Sequence, residues 1–147
     1  MRQDAGNPAL LQELYTAGSL VNLLVSAELA KARVPAHDFS FLGWIAQLEP
    51  VTPGRLAAET GLPPTTIRDY IRRCGARGTV RKQPNPADGR SYQLVLSASG
   101  RRLMDRGWPA VQKAFLRLEP ELERPAAEYL EAVRALRAAL RRASALT

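Results

Sequence analysis

The sequence predicts a mainly α-helical chain with one small β-hairpin near its middle. Three observations carry this. Apolar residues recur at helical spacing over residues 8–34, 39–48, 97–118 and 122–143. Between Leu56 and Gly100 the elements shorten to a brief helix, a break at Gly61, an arginine-rich helix and two alternating segments around the loop Gln83-Pro84-Asn85-Pro86-Ala87-Asp88-Gly89-Arg90. Most of the chain's positive excess falls on this same stretch. Short helix, tight turn, second helix and hairpin together give the order of a winged helix-turn-helix.

The first helix, Pro8 to about Val34, carries Leu10, Leu14, Val21, Leu24 and Val25, broadened by Leu11, Leu20 and Leu29. That stripe is wide for one small core and predicts a second partner surface. Pro35-Ala36-His37-Asp38 reads as a break, followed by a very apolar helix over Phe39–Leu48. Thr52-Pro53 is a start signal, a hydroxyl N-cap followed by proline at the first helical position. The helix Pro53–Thr60 ends at Gly61, which can take the left-handed conformation of a helix stop. The next helix runs from about Pro64 to Arg77. Thr79–Lys82 and Ser91–Leu96 read as strands, the second alternating Tyr92, Leu94 and Leu96 against Gln93, Val95 and Ser97. Ser97 then N-caps a long helix containing Trp108-Pro109, where proline can introduce a kink. Pro120 interrupts, and a last helix spans about Leu122 to Ala143.

At 147 residues the chain has one domain's length, and its 46% hydrophobic and 24% charged composition is that of a globular protein. The net charge is +7. Residues 51–102 alone hold ten basic and three acidic groups, a local excess equal to that of the whole chain. An excess placed on a reading motif points to a polyanionic partner. With a single cysteine, Cys74, no intramolecular disulfide forms. No secretory h-region and no apolar run long enough to span a bilayer is present, so the expected location is the cytoplasm, away from any membrane. A single histidine, His37, offers no metal set, and no phosphate-cradling glycine loop, nucleophile–His–acid set or paired catalytic carboxylates stand in the sequence. No metal, no cofactor and no enzyme activity are expected.

On a helical wheel advancing about 100° per residue, Ile67, Tyr70, Ile71 and Cys74 form one inward stripe of the arginine-rich helix. Thr65, Asp69, Arg72 and Ala76 fall on the opposite face, with Arg68 and Arg73 flanking it. Hydroxyl, guanidinium and carboxylate groups on one face are the groups that meet base edges and phosphates in a major groove. Thr65, Thr66, Arg68, Arg72 and Arg73 are therefore candidate DNA contacts, with Asp69 an orienting or salt-bridging partner. In the hairpin loop, Arg90 can enter a minor groove, where narrowing concentrates negative potential, and Asp88 can hold its guanidinium through a charge-assisted bond. Cys74 on the inward stripe reads as core packing rather than as a redox switch. His37 reads as a surface loop residue, and Tyr15, Trp44 and Trp108 as core.

These residues resemble the MarR family of bacterial regulators. The resemblance runs over Leu56–Leu62, Thr65–Ile71, Gly78–Lys82 and Pro86–Ser91, the last similar to the family's Asp-x-Arg wing. It ends on Val95-Leu96-Ser97-Ala98-Ser99-Gly100, similar to the family's Leu-Thr-x-x-Gly helix entry. The resemblance implies a triangular homodimer joined through residues 1–36 and 103–147, with residues 37–102 as the DNA-binding lobe. It implies Arg90 as the minor-groove arginine and Asp88 as its buttress. It also implies a ligand-responsive repressor on a pseudo-palindromic duplex site, with a small-molecule effector held in a cleft that one of the aromatic residues walls. The sequence departs from the family at Pro63-Pro64, where a serine cap is usual, at Cys74, usually leucine, and at Ser97, usually threonine. The Pro63-Pro64 departure leaves a second reading open: an effector-binding or protein-interaction module of the same fold with weak or lost operator reading.

Overall fold

The computed structural model describes residues 7–145. Six α-helices, one 3₁₀ turn and a two-stranded antiparallel sheet follow in the order α1 (Ala9–Lys31), α2 (Ala36–Leu48), α3 (Pro53–Thr60), α4 (Pro64–Ala76), β1 (Val80–Pro84), β2 (Tyr92–Leu96), α5 (Ala98–Leu118), the 3₁₀ turn Glu119–Glu121 and α6 (Ala126–Ser144). The mainly α fold with a β wing is the one the sequence predicts.

Local chemistry explains the best-matched boundaries. Thr52 Oγ1 accepts the Arg55 amide at 3.2 Å, capping α3 ahead of Pro53. Gly61 takes φ 71° and sends its amide to the Ala57 carbonyl, ending the helix in the left-handed conformation that glycine adopts without strain. Ser97 caps α5 by accepting the Gly100 amide at 3.0 Å while its hydroxyl donates to the Gly78 carbonyl at 2.6 Å. The serine found where threonine is usual therefore both caps the helix and ties it to the strand entry.

Two helix starts differ from the expectation, α1 ends earlier, at Lys31, and β1 runs on to Pro84 instead of ending at Lys82. The helix α2 begins at Ala36, not Phe39, because Pro35 acts as the residue before the first turn instead of a breaker. Asp38 then falls in the first turn, where a carboxylate suits the helix dipole. The last helix begins at Ala126 because Pro120 diverts the chain into a 3₁₀ turn and Pro125 holds the entry extended. Pro109 stands inside an unbroken α5.

The sheet pairs Val80 with Leu96 through Pro84 with Tyr92. Val51 adds an isolated bridge to Leu94, exchanging amide–carbonyl bonds of 3.1 and 2.7 Å. One core lies beneath the wing, where Phe41, Leu42, Ile45, Leu56, Ile67, Ile71, Cys74, Leu94 and Leu96 pack together. A smaller cluster of Leu29, Val34, Phe39 and Ala110 joins α1, α2 and α5.

The core assignment holds for Trp44, which packs against the larger cluster. It fails for Tyr15, 84% exposed, and Trp108, 56% exposed. Both lie on long helices whose outer faces have no cover in the single chain. Leu10, Leu11, Val21, Phe115, Leu116, Tyr129, Leu130 and Val133 are exposed on α1, α5 and α6, and α6 has no fully buried residue.

Candidate nucleic-acid interface

The helix α4 presents the two faces expected of it. Ile67, Ile71 and Cys74 are buried, whereas Thr65, Arg68, Asp69, Arg72 and Ala76 are exposed and Thr66 is half-buried. The helix starts on Pro63-Pro64 with no side-chain cap. Its first turn therefore keeps free backbone N–H groups that a phosphate oxygen can accept from.

The arginines of this region divide into two sets. Arg72 Nη2 pairs with Asp69 Oδ1 at 3.0 Å on the exposed face. Arg73 is held by the fold: its Nε lies 3.4 Å from Asp38 Oδ1, and its guanidinium sits 4.7 Å above the Tyr70 ring. Tyr70 in turn stacks on Phe41, with ring centres 4.7 Å apart. Arg77 pairs with the other oxygen of Asp38. Arg101 pairs with Glu49 at 2.8 Å, and the second oxygen of Glu49 accepts the Leu96 amide. Arg55, Arg68, Arg81, Arg90 and Arg102 have no acidic partner among the described residues, and Lys82 lies over the Tyr92 ring at 4.6 Å. The positive field open to a partner thus belongs to these six cations and the loosely paired Arg72.

In the wing, Asn85 Oδ1 accepts the Ala87 amide at 3.1 Å, and Asp88 Oδ1 accepts the Arg90 amide at 3.0 Å. The expected buttress therefore takes a different form. Asp88 fixes the backbone of Arg90 through an Asx turn, and the guanidinium of Arg90 projects exposed with no ion pair among the described residues.

Cys74 is fully buried, and desolvation raises its thiol above the ordinary value despite the Thr79 hydroxyl beside it. A raised, buried thiol is unreactive. His37 is exposed on the first turn of α2, not in a loop. Among the described residues, no three His, Cys, Asp or Glu side chains are arranged to hold a metal, and no helix is long and apolar enough to cross a membrane.

Periodicity could not reveal the Asp38 clamp. Asp38 is 35 residues from Arg73 and 39 from Arg77 in sequence. By sequence it falls in the break before the apolar helix Phe39–Leu48. The cleft that the resemblance implies, walled by one of the aromatic residues, has a counterpart of about 610 Å³ lined by Trp108. It opens on the other side of α2, between α1 and α5, with Val25, Phe39, Met104, Trp108 and Val111 as walls and Asn22, Ser40 and Gln47 as polar groups.

Residues 34–91, the span from the start of α2 to the end of the wing loop, match the sequence model of the MarR family. No curated protein matches the chain. Among solved structures, a mutant of MarR from E. coli complexed with operator DNA is 19% identical with a TM-score of 0.76, over 87% of this chain and 93% of that one. CouR from Rhodococcus jostii RHA1 bound to p-coumaroyl-CoA is 25% identical with a TM-score of 0.70, over 84% and 85% of the two chains. A transcriptional regulator of the MarR family from Rhodococcus sp. RHA1 is 23% identical with a TM-score of 0.72, over 91% and 95%.

Proposed function

We propose that this chain is a MarR-family winged-helix protein acting as a ligand-responsive transcriptional regulator that binds operator DNA as a homodimer; residues 34–91 match the family's sequence model, and the fold is that of the family's solved regulators. The observation that carries the reading is the outward face of α4 together with the wing. Arg68 and Arg90 stand exposed without acidic partners among the described residues, on elements whose inner faces are fixed in the core. Thr65 and Thr66 sit at an uncapped helix start suited to phosphate, and Arg72 is pre-oriented by Asp69. Arg73 serves chiefly to hold α4 in place through Asp38 and Tyr70.

The helix α2 supplies a route from ligand to DNA. One side of it forms a wall of the cleft through Phe39, Ser40 and Gln47, and Asp38 on its first turn grips the C-terminal half of α4. A ligand that favours one setting of α2 shifts the population of reading-helix positions. Repression, as opposed to activation, is the natural outcome when the apo form is the operator-binding one.

The test is fluorescence anisotropy of a duplex from the protein's own promoter region at several salt concentrations. Binding should weaken steeply with salt, and Arg90→Ala should lower the log–log slope by about one. A flat salt response, or an unchanged slope for Arg90→Ala, would sink operator reading by this face. The departure at Pro63-Pro64 from the family's usual serine cap motivates the second reading, an effector-binding or protein-interaction module. A preference for specific over random duplex of less than about tenfold would favour it, since true sites exceed about 10³.

A further inference from the structure

The cleft beside α2 is built entirely of uncharged side chains, and this narrows what it can hold. All twelve residues that line it are apolar or neutral polar. Its volume of about 610 Å³ is that of a small-ligand site. The cations of the same helices gather elsewhere. Lys31 and Arg117 pair with Glu28 at 2.7 and 2.9 Å, and Arg106 and Lys113 line a separate small cavity around that carboxylate. Phe39 is buried and Val25, Met104 and Val111 are half-buried, whereas Asn22, Ser40 and Gln47 are exposed. A carboxylate or phosphate drawn against the buried part of the lining would therefore meet no counter-charge there, which is unfavourable. The polar groups that do face the cleft suit a neutral ligand. Gln47 makes no hydrogen bond within the described residues, and Asn22 uses only its carbonyl oxygen, accepting from Ser26 at 3.4 Å. Two amides thus remain to meet a carbonyl, amide or hydroxyl. The Trp108 and Phe39 rings offer faces and edges to an aromatic ring.

We propose that this cleft selects an uncharged, ring-bearing ligand, oriented by the Asn22 and Gln47 amides against Trp108, and rejects the matching carboxylate. The inference rests on the reading of the cleft as the effector site and adds the ligand's class. It sets this chain apart from CouR, whose bound p-coumaroyl-CoA carries phosphates.

The experiment titrates the full chain, without DNA, with 2-naphthamide, 1-naphthol and 2-naphthoate, following tryptophan emission and heat. The two neutral compounds should bind saturably, and the carboxylate at least about tenfold more weakly. Gly18→Leu should abolish binding while leaving the thermal melt intact, because a side chain at Gly18 meets no atom within 4 Å and extends into the cleft. Gln47→Arg should move the preference toward 2-naphthoate. Equal or tighter binding of the carboxylate to the unmodified protein overturns the proposal. So does the absence of any saturable signal, or binding that Gly18→Leu leaves unchanged. Operator binding is measured separately, so a failure there strikes the regulator reading and leaves the ligand class standing or falling on these titrations.

Discussion

Arg68 and Arg73 occupy one helix in different electrostatic settings, and that difference predicts opposite mutational signatures. Arg68 is exposed with no acidic partner among the described residues, so Arg68→Ala should leave the thermal midpoint nearly unchanged and cost operator affinity about 1–3 kcal/mol if it reads a base. Arg73 is tied to Asp38 and stacked on Tyr70, so Arg73→Ala should lower the melting temperature first. Anisotropy and calorimetric melts on the two variants separate the cases, and identical profiles would contradict the division. Glu28 gives a pH prediction at the same scale. Hydrogen bonds from Lys31 and then Arg117 hold its carboxyl below the ordinary carboxylate value. A lowered folded-state value means that its contribution is present above the unfolded value near 4.3 and is lost as pH falls through the folded one. The stability gap between the unmodified protein and Glu28→Gln should therefore be full at pH 7 and close progressively below about pH 4. A gap independent of pH would show that the pairing does not persist in solution.

Among the elements, α2 and α4 show which parts of the site were legible in the sequence. The helices α3 and α4 and the entry to α5 were readable because Thr52, Gly61 and Ser97 act on neighbours three or four residues away, and because the wheel of α4 depends only on its own periodicity. The Asp38–Arg73–Arg77 clamp and the Glu49 bridge from Leu96 to Arg101 were not. They join residues dozens of positions apart, whose approach is set by packing and not by local pattern. The role of Gly100 likewise needed the three-dimensional structure. A Cβ there would lie 2.1 Å from the Thr79 carbonyl oxygen, so the glycine lets the start of α5 cross the strand entry. The clamp has a direct test. Asp38→Asn removes the buried charge facing two arginines that are each about half exposed, so its cost should be moderate, about 1–3 kcal/mol. It should also loosen α4 against α2, so that operator affinity falls and the remaining affinity responds less to a cleft ligand. Native affinity and native ligand response in this variant would remove Asp38 from the transmission route.

For the whole molecule, the uncovered apolar surface decides the assembly. The helices α1, α5 and α6 expose Leu10, Leu11, Phe115, Leu116, Tyr129, Leu130 and Val133, and α6 has no fully buried residue, touching its own chain through the Arg141–Glu59 pair. A lone chain rarely leaves so many large apolar side chains in water. The surface lies on the terminal helices, so a second copy can cover it while both wings stay free. A two-fold pair then sets two α4 helices against two half-sites, and affinity for an inverted repeat depends on the pairing. Leu130→Glu combined with Val133→Glu places two charges on the exposed face of α6, where neither side chain supports the monomer's own core. Sedimentation should show the unmodified protein as a dimer and the double variant as a folded monomer with an unchanged helical spectrum. Operator affinity should drop by far more than the loss of any single arginine contact, because each monomer then grips one half-site alone. A double variant that still sediments as a dimer would place the interface on another face, and a monomer with undiminished affinity would detach operator reading from two-fold symmetry.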